Sequence, residues 1–287
     1  MPLSGRPQAA IFDERTGSLA VFTPGEDPQA PATLTLFAVS GGTRELTLPG
    51  PATALAGDGQ GSAFLSTRGG YFAVDLAAGA ATPMSINDET GTDFTAIARR
   101  ADGRLVLGSA DGTAYTLGSE TAVAEKVKIF ARVDAIVAEG NNAVVLDRGQ
   151  TSVTSLDSDG RTKQALRAGE SATSIVADPA GRVLVTDTRG GQLLVFGVDP
   201  LIERQAYPVP EAPYGLAGSR NLAWVSQTAT NTVVGYDLTT GIPVEKVRYP
   251  TVQQPNSLAF DDASDTLYVV SATGAGVQMI RNAAGAR

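Results

Sequence analysis

Residues 185–196 read VTDTRGGQLLVF, and residues 65–76 read LSTRGGYFAVDL. Both set Thr-Arg-Gly-Gly between a hydrophobic run and a second hydrophobic run. A phosphate-binding loop needs a strand, then glycines, then a helix whose N-terminus faces the anion. Here each glycine pair is followed by another strand-length apolar run, so the motif reads as a tight turn in which glycine supplies positive φ. The question becomes what repeats around it.

Seven segments align on an apolar anchor: Ile11, Leu55, Ile97, Ile136, Ile175, Leu216 and Leu258. The anchors are 39 to 44 residues apart, and the residue before each is Ala, Ser or Gly. A small side chain recurring there suggests a strand packed closely on its neighbours. After each anchor come a turn and a second apolar segment (SLAVF, SAFLS, RLVLG, AVVLD, RVLVT, LAWVS, TLYVV), then a loop and a third. A polar, alternating fourth segment follows in most units, as in RELTL, EKVKIF and VEKVRY. Every run is strand-length and turn-bounded, without an amphipathic helical stretch. Four strands per unit at this period predict an all-β chain forming one domain over residues 1–287, a seven-bladed β-propeller with four-stranded antiparallel blades. The first two strands of each blade are expected to be buried, and the charged fourth to be an outer edge that resists pairing. The last unit ends in RNAAGAR without a convincing fourth strand, so the residues before Ile11 are expected to pair in the last blade.

Composition narrows the function. The chain of 287 residues is 43% hydrophobic, enough for a sizeable core. Its formal net charge of −8 repels phosphate backbones, so nucleic acid is not an expected partner. It has no cysteine and no histidine, which removes Cys and Ser/His nucleophile systems, ordinary zinc, copper or haem sites, and any histidine pH switch. No apolar run approaches the ~18 residues of a membrane span. The start, MPLSGRPQ, lacks the apolar region of a signal peptide, which fits either a cytosolic protein or a domain whose export segment has been removed.

The segment from Pro213, PYGLAGSRNLAWVSQTATNTVVGYDLTTG and onward, resembles the YVTN type of propeller repeat. DFTAIARR, IFARVDA, VVLDRGQTSVT and TRGGQLLVFGVDP make the chain similar to the LppL group of mycobacterial lipoproteins. That resemblance implies an exported protein on the outer side of the bacterial cell membrane, held by a lipidated N-terminal cysteine. This chain has no cysteine, so membrane association is expected only through an anchor absent from it. The resemblance implies a location and no reaction.

The loops between second and third strands, together with the residues two before each anchor, are the expected site, because in a propeller they share one face. Of the second set, Thr53, Thr95, Asp134, Tyr214 and Asn256 carry groups that hydrogen-bond. Asp93, Asp147, Arg148, Asp187, Arg189 and Gln227 join them from the loops. The functional expectation is a mouth for a small polar ligand or for the loop of a protein partner in the cell envelope, with no cofactor and no catalysis. The competing bland expectation is that these residues hydrate the mouth and cap strand ends. The alternative function is a metal-dependent, lactonase-like hydrolase in which Asp93, Asp134, Asp187 and Asn256 hold Ca²⁺ or Mg²⁺. Propeller lactonases of the senescence-marker type have six blades against seven here. Trp224, inside LAWVS, is expected in the core, and Tyr236 and Asp237 in blade packing and a capped turn.

Overall fold

The computed structural model describes residues 1–3 and 5–285; the end of the RNAAGAR tail lies outside the described residues. Among these residues every regular element is a β-strand. The strands form seven consecutive antiparallel sheets, the blades of a seven-bladed β-propeller. The blades cover residues 9–47, 54–85, 94–128, 135–167, 172–208, 213–250 and 255–281. The first six have four strands in simple up-and-down order and the seventh has three.

The fifth blade shows how sequence becomes element. Its second strand, Arg182–Asp187, pairs through Val185↔Leu194 and Asp187↔Gln192 with the third, Gln192–Val198. Thr188 to Gly191 therefore form the turn, with Gly191 at φ +62°. The fourth strand, Leu201–Pro208, exposes Glu203 and Arg204 and half-buries Gln205 and Tyr207. The alternation is that of a strand with one packed face and one wet face.

Burial corrects one expectation. The second and third strands are the buried pair, as in SLAVFT with five of six residues buried and RVLVTD likewise. The first strand varies from blade to blade, mostly half-buried in AIVAE and ATSIVAD and mostly buried in FTAIAR and PYGLAG. It lies at a sheet edge with a neighbour on one side only, whereas the second and third strands have one on each side.

By internal contacts the chain falls into two compact units. The unit Ile11–Arg167 carries the first four blades. Between its second and third blades Tyr71, Phe94, Ile97, Leu107 and Tyr115 pack together, with Phe94 and Tyr115 edge to face at 5.2 Å. Between its third and fourth, Ala96, Val106, Val133, Ile136 and Val145 do so. The unit made of Met1–Ala10 and Ala168–Arg287 carries the last three blades. There Trp224 is fully buried and stacks on Phe260 at 5.6 Å, and Tyr236 meets Tyr207 edge to face. Within the same unit the N-terminal segment pairs with the last blade. The Met1 ammonium donates to the Val277 carbonyl at 2.6 Å, and the Val277 amide donates back to Met1 at 2.8 Å.

Candidate functional site

One polar position recurs where the second strand ends. Thr67, Asp147, Asp187, Gln227 and Ser271 are the last residues of their second strands. Each fastens the segment that leads into the first strand of its own blade. The Thr67 hydroxyl donates to the Pro51 carbonyl at 2.6 Å and Ser271 to Gln253 at 2.6 Å. The Gln227 amide donates to Pro210 at 2.9 Å. The carboxylates work with reversed polarity. Asp147 accepts the amides of Ala131 at 2.6 Å and Gln150 at 2.9 Å. Asp187 accepts three amides, from Glu170 at 2.7 Å and from Ser171 and Gly190 at 2.9 Å. Asp147, Asp187 and Gln227 are at most 1% exposed.

The second glycine pair gets its reason here. A Cβ on Gly190 would collide with the Asp187 carboxylate, and so would one on Gly169, whose φ is +69°. The glycines make room for a carboxylate that closes the turn on the incoming loop.

Threonine hydroxyls near the strand ends tie one blade to the next, and two of them stand two before an anchor. Thr53 donates to the Phe94 carbonyl of the next blade at 2.6 Å, and Thr95 to the Val133 carbonyl of the blade after that at 2.5 Å. In the other unit Thr186 and Thr188 reach the Tyr214 and Pro213 carbonyls of the next blade at 2.9 and 2.6 Å.

In the unit Ile11–Arg167, the loops also carry charge pairs. Arg68 faces Asp93 at 3.4 Å, both more than half exposed, and Lys128 meets Asp111 at 2.8 Å. The Lys128 ammonium, with the Ser109 hydroxyl, holds the Asp111 carboxyl well below the usual range. Asp134 accepts the Arg148 amide at 2.8 Å and faces the Arg132 guanidinium at 3.4 Å. The Arg148 side chain is exposed and has no partner among the described residues. In the other unit Arg189 lies in the corresponding loop of its own blade, one position further from the strand end, likewise exposed and without a partner among the described residues. Tyr214 and Asn256 are half-buried there, and Asn256 Oδ1 is sheltered without a hydrogen bond.

The three carboxylates of the metal alternative are already engaged by donors of the protein. Both Asp187 oxygens accept backbone amides, both Asp134 oxygens face donors, and Asp93 faces a guanidinium. Among the described residues no three carboxylates gather as an ion would need. Two open concavities, of about 560 Å³ beside Phe64 and Ala73 and about 460 Å³ beside Asn87 and Lys126, are lined by none of the candidate residues.

The residues that sequence reasoning missed are Arg68, which pairs with Asp93, Lys128 with Asp111, and the Thr67 and Ser271 fasteners. Their signal was available in position. Thr67, Ser109, Asp147, Asp187, Gln227 and Ser271 all fall 11 to 13 residues after their anchors.

Solved structures of similar fold span the whole chain. A hydrazine synthase of Kuenenia stuttgartiensis matches with TM-score 0.76 at 12% identity, covering 98% of this chain and 97% of that one. A streptogramin B lyase matches at 0.77 and 13%, covering 98% and 95%. A chain of a mitotic checkpoint complex matches at 0.78 and 10%, covering 98% and 93%. At such identity the likeness shows the fold, a seven-bladed β-propeller, and the activities of these proteins are diverse. No family model and no curated protein sequence matches the chain.

Proposed function

We propose that this chain is a non-catalytic binding or scaffold protein of the bacterial cell envelope, which engages a protein partner or small polar ligand through its second-to-third-strand loops. The observation that carries the reading is the contrast inside two of those loops. Asp147 and Asp187 are buried and spent on backbone amides, while Arg148 and Arg189, one and two residues further on, are exposed and unpaired among the described residues. A guanidinium on a fastened loop loses little freedom when it binds, and its planar fork suits carboxylates and other oxyanions. The ligand group is therefore anionic, such as an acidic side chain of a partner. The envelope location rests on the likeness to the LppL group alone.

Crosslinking in the native envelope followed by mass spectrometry tests the reading. Crosslinks to acidic peptides should concentrate on the segments containing Arg148 and Arg189. Crosslinks confined to the outer strands would contradict it.

A further inference from the structure

Phe64 breaks a pattern of burial. Three positions before the end of the second strand, the other six blades carry Ala20, Val106, Val144, Leu184, Trp224 and Tyr268, each at most 2% exposed. Phe64 holds that position in the second blade and is only half-buried. Its row across the sheet explains the opening. Ala56, Ala73 and Thr82 stand in register beside it, and none is long enough to cover a ring. The Arg99 guanidinium lies over the ring at 5.6 Å and is held there by the Asp58 carboxylate at 2.6 Å. Phe64 and Ala73 also line the concavity of about 560 Å³, a size that suits a small molecule.

Opposite charges stand one step further along the same strands. Phe64 pairs with Ala73, and Ser62 with Asp75, so the two rows are about 7 Å apart and share one face of the sheet. Asp75 is exposed and accepts the Ala78 amide through Oδ1 at 2.9 Å, which leaves Oδ2 without a partner among the described residues. Arg15 reaches this end from the first blade. Its side chain lies across Gly61, and its guanidinium donates to the Gln60 carbonyl at 2.8 Å. The remaining guanidinium donors are unused among the described residues. The neighbouring carboxylates are already taken. Asp13 accepts the amides of Thr16 and Gly61, and Asp58 accepts those of Gln60 and Ser62 beside the Arg99 bond. Arg15 and Asp75 both line the concavity, and neither has an ion-pair partner among the described residues.

We infer that this concavity binds an aromatic amino acid. The ring packs against Phe64 and Ala73, the carboxylate meets the Arg15 guanidinium, and the ammonium meets Asp75. The spacing of the rows matches the short stem between an aromatic ring and its two charged groups. A ligand of single charge would leave either Arg15 or Asp75 unanswered. An aliphatic ligand would forgo the ring-on-ring contact, which adds to simple area burial. The concavity lies beside the turn joining first and second strands, at the other end of those strands from the arginine loops. The inference is independent of those loops.

The probe is L-phenylalanine, titrated into the full chain to about 10 mM and followed by NMR. The Ala73 methyl and the Ser62 and Asp75 amides should shift together and saturate. 3-Phenylpropionate, which lacks the ammonium, and phenethylamine, which lacks the carboxylate, should each bind at least about fivefold more weakly. Arg15→Gln and Asp75→Asn each alter an exposed side chain and should leave the thermal melt unchanged. Each should weaken L-phenylalanine at least about fivefold, and Arg15→Gln should leave phenethylamine binding as it was. No saturating shift at these groups would overturn the inference. So would equal binding of the three probes, or variants that bind L-phenylalanine as the wild type does.

Discussion

Asp187 lies in the repeated Thr-Arg-Gly-Gly region and reads in the sequence as a group poised beside a mouth. Its surroundings give it a different task, since three backbone amides depend on its buried carboxylate. Asp187→Ala should cost about 3 kcal/mol, because three hydrogen bonds to one buried charged group are lost together. In a thermal melt that is a fall of roughly 6 °C. Arg189→Ala should leave the melt within about 1 °C, since the side chain is exposed and unpaired. The sequence could show that a carboxylate stands there, but not that glycines at 169 and 190 fold onto it, because Gly169 belongs to a loop 18 residues earlier. Burial has a second readable consequence at this scale. Tyr71 and Tyr236 are pushed up to about 12, chiefly by burial and then by Glu120 and Glu245 respectively. A raised phenol pKa favours the neutral ring in the fold. That stability is fully present below the ordinary value near 10 and is lost as pH rises from about 10 to 12. Ultraviolet titration should find these two phenols ionising only near pH 12; ionisation of both near 10 would count against their burial.

Among the elements, the outer strands were the most legible. Runs such as VAEKVK and VEKVRY announce an edge with one packed face, and the structure alternates half-buried and exposed residues along the first and from Lys246 onward in the second. The first strands were the least legible. Their apolar anchors suggested deep burial, which Ile97, Ile136, Leu216 and Leu258 reach while Ile11, Leu55 and Ile175 stay half-buried. Two of these strands are tied to the following blade by a hydroxyl as well as by apolar packing. Thr53→Val and Thr95→Val each remove a donor from a neighbouring blade's carbonyl and should each cost about 1 kcal/mol in denaturant unfolding. Thr→Ser at the same positions should cost less than half as much. Equal losses for Val and Ser would mean that the threonine methyl, and not the hydrogen bond, holds the strand. The last blade was half-legible: RNAAGAR announced a missing strand, and Met1 supplies its first rung.

Across the whole molecule, the period of about 41 residues determined blade count and strand order because each blade repeats the same turn chemistry. The candidate site was less legible. Position in the repeat brought Asp147, Arg148, Asp187 and Arg189 to equivalent loops, but two of these four hold the loop and two are presented by it. Residue type cannot separate the classes; burial and hydrogen-bond direction do. In the proposed function the presented arginines bind an anionic group while the aspartates only support them. Calorimetric titration of the chain with an acidic glutamate-rich peptide, beside the Arg148→Ala/Arg189→Ala double variant, tests this most directly. Binding should weaken about tenfold or more in the variant, as expected for lost charge-assisted bonds, and weaken with added salt in the wild type. The variant's melt should stay unchanged. Equal binding by wild type and variant, or no binding by either, would contradict the claim.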